Sequence, residues 1–256
     1  MVVFSHIPKT AGTTLNAILR KNFGSKIVSV IPETGTTYSK SDFESDFGQN
    51  SPSAISGHCL KPFVNYGEHE NRFQWITFLR DPIERYISQY VHEKLFDRKP
   101  IKDVVSWGEK FQRCNWQVKW LAGEENLEKA KEVVHKKLVF VGVVEHFDES
   151  LHLMNQRLNT SLDISYRAPK MVVLDNTLKQ RLLADGKVRG FAASQNQLDV
   201  RLYNYVLDNT FYNQGVAGHQ DPSPESLSYL TEKNRMCAFY FRNYFYRKRK
   251  KKRVDV

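Results

Sequence analysis

Between an apolar run at residues 1–5 and a helical pattern that begins near Leu15 lies the stretch Ser5-His6-Ile7-Pro8-Lys9-Thr10-Ala11-Gly12-Thr13-Thr14. These residue types can hold an anion. Backbone amides at a helix start, reinforced by the helix dipole, favour a phosphate, and Ala11 and Gly12 are small enough to let one approach the chain closely. Lys9 and Thr10 lead into the turn, and Thr13 and Thr14 add hydroxyl donors. A nucleotide triphosphatase loop places its lysine after the glycines, as Gly-x-x-x-x-Gly-Lys-Ser/Thr, whereas Lys9 precedes the one glycine of this stretch. A lysine before the turn can reach the bridging oxygen between a phosphate and its leaving partner, where negative charge grows during group transfer.

On its residues alone, the loop reads equally as an ordinary capped helix after a strand. A second stretch, Thr77-Phe-Leu-Arg80-Asp81-Pro82-Ile-Glu84-Arg-Tyr-Ile-Ser88, tips the balance. Arg80 falls at a strand's end, Asp81 suits an N-cap, Pro82 suits the first helical position, and Ser88 follows two turns in, on the face of Asp81. Arg80 offers planar donors that suit phosphate, so two anion sites on neighbouring strand-to-helix junctions can face one ligand.

The elements that must position these residues follow from periodicity. Residues 1–5 read as a strand, and Leu15, Ile18, Leu19 and Phe23 as one helix face. A second strand is expected over 26–31, a polar surface excursion over 33–52, and a short strand over 54–56. A third long apolar run, 73–79, reads as a strand running into a helix over 82–95. Helices are expected over 112–121, 127–136 and 147–158, with a buried strand over 138–143. Periodicity fades over 159–174, and helix returns over 198–211 and again from Pro224. The aromatic cluster at Phe239, Tyr240, Phe241, Tyr244, Phe245 and Tyr246 reads as packing for that last helix. Strands separated by helices imply an α/β domain over residues 1–246, with a central, mostly parallel sheet flanked by helices.

Seven of the ten excess positive charges sit at residues 247–253, so the tail at 247–256 reads as a solvated end, and nucleic acid is not an expected partner. Cys59, Cys114 and Cys237 match no zinc or redox spacing and read as reduced thiols. The triplet Asn159-Thr160-Ser161 fits a glycosylation site, but such triplets arise often by chance and carry no weight here. No run approaches the ~20 apolar residues of a membrane span and no charged-then-apolar leader is present, which sets the expectation of a soluble, cytoplasmic protein.

Taken together, the two anion stretches resemble the sulfotransferases that use 3′-phosphoadenosine 5′-phosphosulfate (PAPS), within them the branch of Golgi carbohydrate enzymes that includes heparan sulfate 2-O-sulfotransferase, and bacterial relatives. Further stretches are similar too: Asn115-Trp-Gln-Val-Lys-Trp-Leu-Ala-Gly123, Val141-Gly-Val-Val-Glu145 and Asn196-Gln-Leu-Asp199-Val-Arg-Leu-Tyr203. The resemblance spans roughly residues 1–215 and implies a P-loop-like nucleotide-binding fold. It implies that Lys9, Thr10, Ala11, Gly12, Thr13 and Thr14 bind the 5′-phosphosulfate, and that Arg80 and Ser88 bind the 3′-phosphate. The product is then 3′-phosphoadenosine 5′-phosphate (PAP), the acceptor a hydroxyl, by analogy on a carbohydrate, and no metal is called for. The family's Golgi membrane anchor is not matched, since this chain starts almost at its first strand.

The acceptor hydroxyl must lose a proton, so a side chain titrating near neutrality is wanted close by. His58 is the candidate base: it ends the strand expected at 54–56, and Gly57-His58 resembles the Gly-His that carries the catalytic histidine in the 2-O-sulfotransferase branch. His6 is the reserve, with a structural role favoured by its place on the strand that feeds the loop. The remaining histidines have no supporting context. Cys59 is discounted as a nucleophile, because adjacent strand residues point to opposite faces. Arg167 and Lys170, in the irregular region, read as surface charge. Two rivals stand beside this reading: a P-loop-type kinase of a small hydroxyl compound, disfavoured by the missing Gly-Lys-Ser, and a non-enzymatic anion-binding adaptor gripping nucleic acid or acidic lipid through its tail. Neither accounts for both anion stretches.

Overall fold

Val2, Val3, Phe4 and Ser5 form strand β1 (Val2–Ser5), and all four are buried, as a strand covered on both faces requires. The chain turns into α1 (Gly12–Phe23), whose buried residues Leu15, Ile18 and Leu19 recur at helical spacing. Next come β2 (Ile27–Ser29), α2 (Lys40–Phe47), β3 (Ala54–Gly57) and β4 (Gln74–Leu79). Helix α3 (Pro82–Leu95) follows, then α4 (Val104–Phe111), α5 (Trp116–Ala122), α6 (Leu127–Lys136) and β5 (Leu138–Val143). The series ends with α7 (Phe147–Leu158), α8 (Asn176–Ala184), α9 (Gly186–Gln195) and α10 (Gln197–Thr210). This computed structural model describes residues 1–32, 36–48, 52–95, 102–111, 113–166 and 176–210. All of these except Tyr166 belong to one compact unit.

The five strands form one parallel sheet in the order β2-β3-β1-β4-β5. In register, Ser5 faces Gly57 and Phe4 faces Ile76, so the carboxyl ends of β3, β1 and β4 finish side by side. The connection from β3 to β4 steps over β1; the chain leaves β1 toward the β2 edge and leaves its neighbour β4 toward the β5 edge, so the winding direction reverses between β1 and β4. Open parallel sheets bind ligands in the crevice at such a reversal. One apolar core joins Val3, Ile55, Trp75 and Val141 of the sheet to Val118, Leu121, Ala130 and Leu202 of the helices. A second lies under α3 and joins Tyr86, Ile87 and Tyr90 to Trp107 and Ala192.

Several expectations shift. The second strand is trimmed to Ile27–Ser29. The expected excursion over 33–52 contains α2, which carries a single buried apolar residue, Phe43, and so shows little periodicity. A capping box holds it: Ser39 accepts from the Asp42 amide while the Asp42 carboxylate accepts from the Ser39 amide. Phe43 then packs against Phe73 and Tyr66. The helix expected from Gln112 starts instead at Trp116, because the amides of Gln117 and Val118 are capped by Asp199 of α10. Helices α4, α8 and α9 were not expected. In α4 the pattern is broken by Gly108, where an added Cβ would lie 1.9 Å from the Tyr86 hydroxyl. The helix expected from Pro224, its aromatic cluster, the basic tail, Cys237, Arg167 and Lys170 lie outside the described residues.

Candidate active site

The loop between β1 and α1 is held in a strained form. Lys9 (φ 70°) and Ala11 (φ 58°) both occupy the left-handed region, at a cost of about 1–2 kcal/mol each for residues with a side chain. Thr10 is buried and donates its hydroxyl to the Ile7 carbonyl at 2.9 Å, pinning the turn. The Ala11 carbonyl accepts from Thr14 and Leu15, while the amides of Gly12 and Thr13 open α1 with no acceptor among the described residues. Position 12 must be glycine because a Cβ there would sit 1.7 Å from Nε2 of His6. The buried His6 ring fills that space and stacks on His58, with centroids 4.0 Å apart.

His58 follows β3 directly. Its Nδ1 lies 2.7 Å from the His6 carbonyl, which can only accept, so Nδ1 carries the proton and Nε2 keeps the lone pair in the neutral ring. Although part of the side chain is open to solvent, packing lowers its pKa below the ordinary imidazole value. Lys61 and Lys9 lower it further, against the opposing pull of the His6 carbonyl. His6 falls well below its ordinary value, from burial first and then from the charges of His58 and Lys9. Trp120 stands edge-on to His58 at 6.3 Å; its indole donates to Ser5 Oγ at 3.0 Å, and that hydroxyl donates to the Leu60 carbonyl at 2.8 Å. The Lys61 ammonium rests on the face of Trp120, and burial brings its pKa down to about 7. Cys59 turns away into the core, with Sγ 3.3 Å from the Val30 carbonyl.

Arg80 follows β4 directly and is gripped at both backbone groups by one side chain: Gln117 accepts from its amide and donates to its carbonyl, each at 2.9 Å. Glu145 accepts from the Asp81 amide at 3.0 Å and from the Tyr203 hydroxyl at 2.7 Å. Asp81 caps α3 as expected, accepting from the Glu84 amide at 2.8 Å. The Arg80 guanidinium donates to the Lys9 carbonyl at 3.3 Å, so the two expected anion loops touch. It also pairs with Glu84, whose carboxylate meets Lys179 of α8. Ser88 lies one turn beyond Glu84, half-buried, and its hydroxyl has no partner among the described residues.

The carboxyl ends of three adjacent strands thus bring together Lys9, Thr10, Ala11, Gly12, Thr13 and Thr14, then His58, then Arg80. Sequence reasoning missed Lys61, Trp120, Gln117, Glu145, Glu84 and Lys179. A signal exists for some of them, because Gln117, Trp120, Glu145 and Tyr203 fall in the stretches 115–123, 141–145 and 196–203, which carry the family resemblance but no local chemical motif. Asn115 bonds Asn196, Gln117 bonds Asp199, and Glu145 bonds Tyr203, so the three form one support beneath Arg80 and Asp81.

Residues 1–206 match the model of a family described as the sulfotransferase family. None of the curated proteins matches. Among solved structures, the chain is similar to a mouse sulfotransferase, SULT7A1, complexed with PAP, at 16% identity and a TM-score of 0.44. That match covers 63% of this chain and 60% of the mouse chain, so this chain spans less than two thirds of that protein's length. It is also similar to a sulfotransferase from Alicyclobacillus acidocaldarius, at 14% identity and a TM-score of 0.36, over 78% of this chain and 95% of that one. Among the described residues no helix is long and apolar enough to cross a membrane.

Proposed function

The chain belongs to the sulfotransferase family, and from that premise we propose that it moves the sulfuryl group of PAPS onto an acceptor hydroxyl, on a carbohydrate, and releases PAP. One observation carries the reading. Lys9 and Arg80 lie on the loops that follow the neighbouring parallel strands β1 and β4, bonded to each other at 3.3 Å, an arrangement that suits a ligand with two separate anionic groups.

In this scheme the 5′-phosphosulfate lies on the amides of the Lys9–Thr14 loop and the 3′-phosphate on Arg80 and Ser88. His58 Nε2 takes the proton of the acceptor hydroxyl as its oxygen forms a bond to sulfur. The bond from sulfur to the bridging oxygen breaks, and its electron pair stays on the 5′-phosphate, where Lys9 neutralises the growing charge. His58 suits this role because its lowered pKa keeps the base form at neutral pH and its Nδ1 bond aims Nε2 outward. Charge neutralisation comes from Lys9 and the loop, without a metal ion. The carbohydrate acceptor rests on the likeness of the two anion stretches and Gly57-His58 to the carbohydrate branch.

Calorimetry with PAP and with adenosine 5′-phosphate, followed by a labelled-sulfate transfer screen of acceptor hydroxyls, tests the reading. PAP should bind well above adenosine 5′-phosphate. Arg80→Ala should weaken PAP by about 10- to 100-fold, the scale of a lost charge-assisted hydrogen bond. Lys9→Ala should abolish transfer with only a modest loss of PAP affinity. Failure of the wild type to bind PAP would end the assignment.

A further inference from the structure

Three charged side chains meet where the 3′-phosphate is proposed to lie, and one of them carries the wrong sign for a phosphate site. Glu84, in the first turn of α3, presents a single oxygen, Oε2, to two cations: Arg80 Nη2 at 2.5 Å and Lys179 Nζ, from α8, at 3.2 Å. The group is sheltered, with side-chain exposures of 16% for Arg80, 38% for Glu84 and 21% for Lys179. Two cations from separate elements converging on one oxyanion is how a phosphate oxygen would be held.

Among the described residues this carboxylate meets only Arg80 and Lys179. The cap of α3 is supplied by Asp81, and the Arg80 backbone is gripped by Gln117. Arg80 Nη1 donates to the Lys9 carbonyl and Nε is buried without a partner among the described residues, so Nη2, the atom that Glu84 takes, is the nitrogen that carries the ion pair. Burial opposes ionisation of Glu84, yet the bonds from Arg80 and Lys179 hold its pKa below the usual carboxylate value, so it sits there as an anion.

Resting on the 3′-phosphate reading above, we infer that Glu84 is an internal stand-in for the 3′-phosphate: it closes the Arg80–Lys179 pair in the empty protein, is displaced when a 3′-phosphorylated nucleotide binds, and leaves Lys179 as a second cation on that phosphate. A phosphate with up to two charges outcompetes a single carboxylate for two cations, so the exchange runs forward on binding. The returning carboxylate lowers the affinity for the product and speeds its release. A nucleotide without the 3′-phosphate leaves Glu84 in place.

The test is calorimetry of the full chain with PAP and with adenosine 5′-phosphate, on wild type, Glu84→Gln and Lys179→Met, with thermal unfolding of each unliganded protein. Glu84→Gln should bind PAP about 5- to 10-fold tighter, since a competing ion pair is gone, while adenosine 5′-phosphate stays within about twofold. The same variant should melt at a lower temperature when empty, because two sheltered cations lose their partner. Lys179→Met should weaken PAP by about fivefold and leave adenosine 5′-phosphate unchanged. If Glu84 merely orients Arg80, Glu84→Gln will weaken PAP instead, and the stand-in role is overturned. Parallel changes for both nucleotides overturn it as well. Failure of the wild type to prefer PAP over adenosine 5′-phosphate is a different result: it removes the 3′-phosphate reading itself.

Discussion

Lys61 illustrates how a single residue can report on ligand binding. It has no acidic partner among the described residues, lies on Trp120 beside His58, and burial draws its pKa from 10.5 to about 7. A lowered lysine pKa means that the empty fold favours the neutral form, so this group makes the fold more stable as pH rises from about 7 to 10.5. A bound anion has the opposite preference and pulls a proton onto Lys61. Binding of PAP should therefore take up protons, and its affinity should fall as pH rises from about 7 to 9. Calorimetry in two buffers of different ionisation enthalpy measures that uptake, and Lys61→Met should reduce it. Equal proton uptake in the two proteins would place Lys61 outside the binding site.

At the scale of elements, the geometry of Arg80 is made by helices far away in sequence. Asp199 is buried in α10, caps the amides of Gln117 and Val118, and so sets where α5 starts and where the Gln117 side chain reaches Arg80. Asp199→Ala leaves two buried amides without acceptors, and should cost about 2–4 kcal/mol in denaturant unfolding and weaken PAP binding as the grip on Arg80 loosens. Elements with strong local signals were legible in the sequence: β1, β4 and β5 are apolar runs, and α3 announces itself through Asp81 and Pro82. Helix α2 was not, because one buried Phe43 and a capping box replace an apolar stripe. The short α4, α8 and α9 were hidden by glycines and by faces that pack only partly. For the candidate site, the sequence nominates the residues on local motifs, Lys9 and Arg80, and the structure brings their loops into contact. Gln117 and Glu145 are not nominated, because they act on Arg80 and Asp81 across 37 and 64 positions, and no local pattern encodes a partner at that range.

For the whole molecule, alternating strands and helices announced a parallel α/β sheet, but the strand order did not follow from them. No local feature says that the connection from β3 to β4 passes over β1, and that step is what gathers the three loops. Because the ligand would bridge loops from three strands, it should brace the folded state as a unit. PAP at about 100 times its dissociation constant should add about 2.7 kcal/mol, which for a domain of this size raises the melting temperature by about 5–10 °C. Adenosine 5′-phosphate at the same concentration should raise it less. The His6 ring, wedged between Gly12 and His58, has one more consequence. Positions 6 and 12 share a fixed volume, so bulk gained at one has to be surrendered at the other. The start of α1, where the donor is proposed to lie, and the His58 imidazole, the proposed base, are therefore coupled through one ring, and neither can be re-engineered without the other.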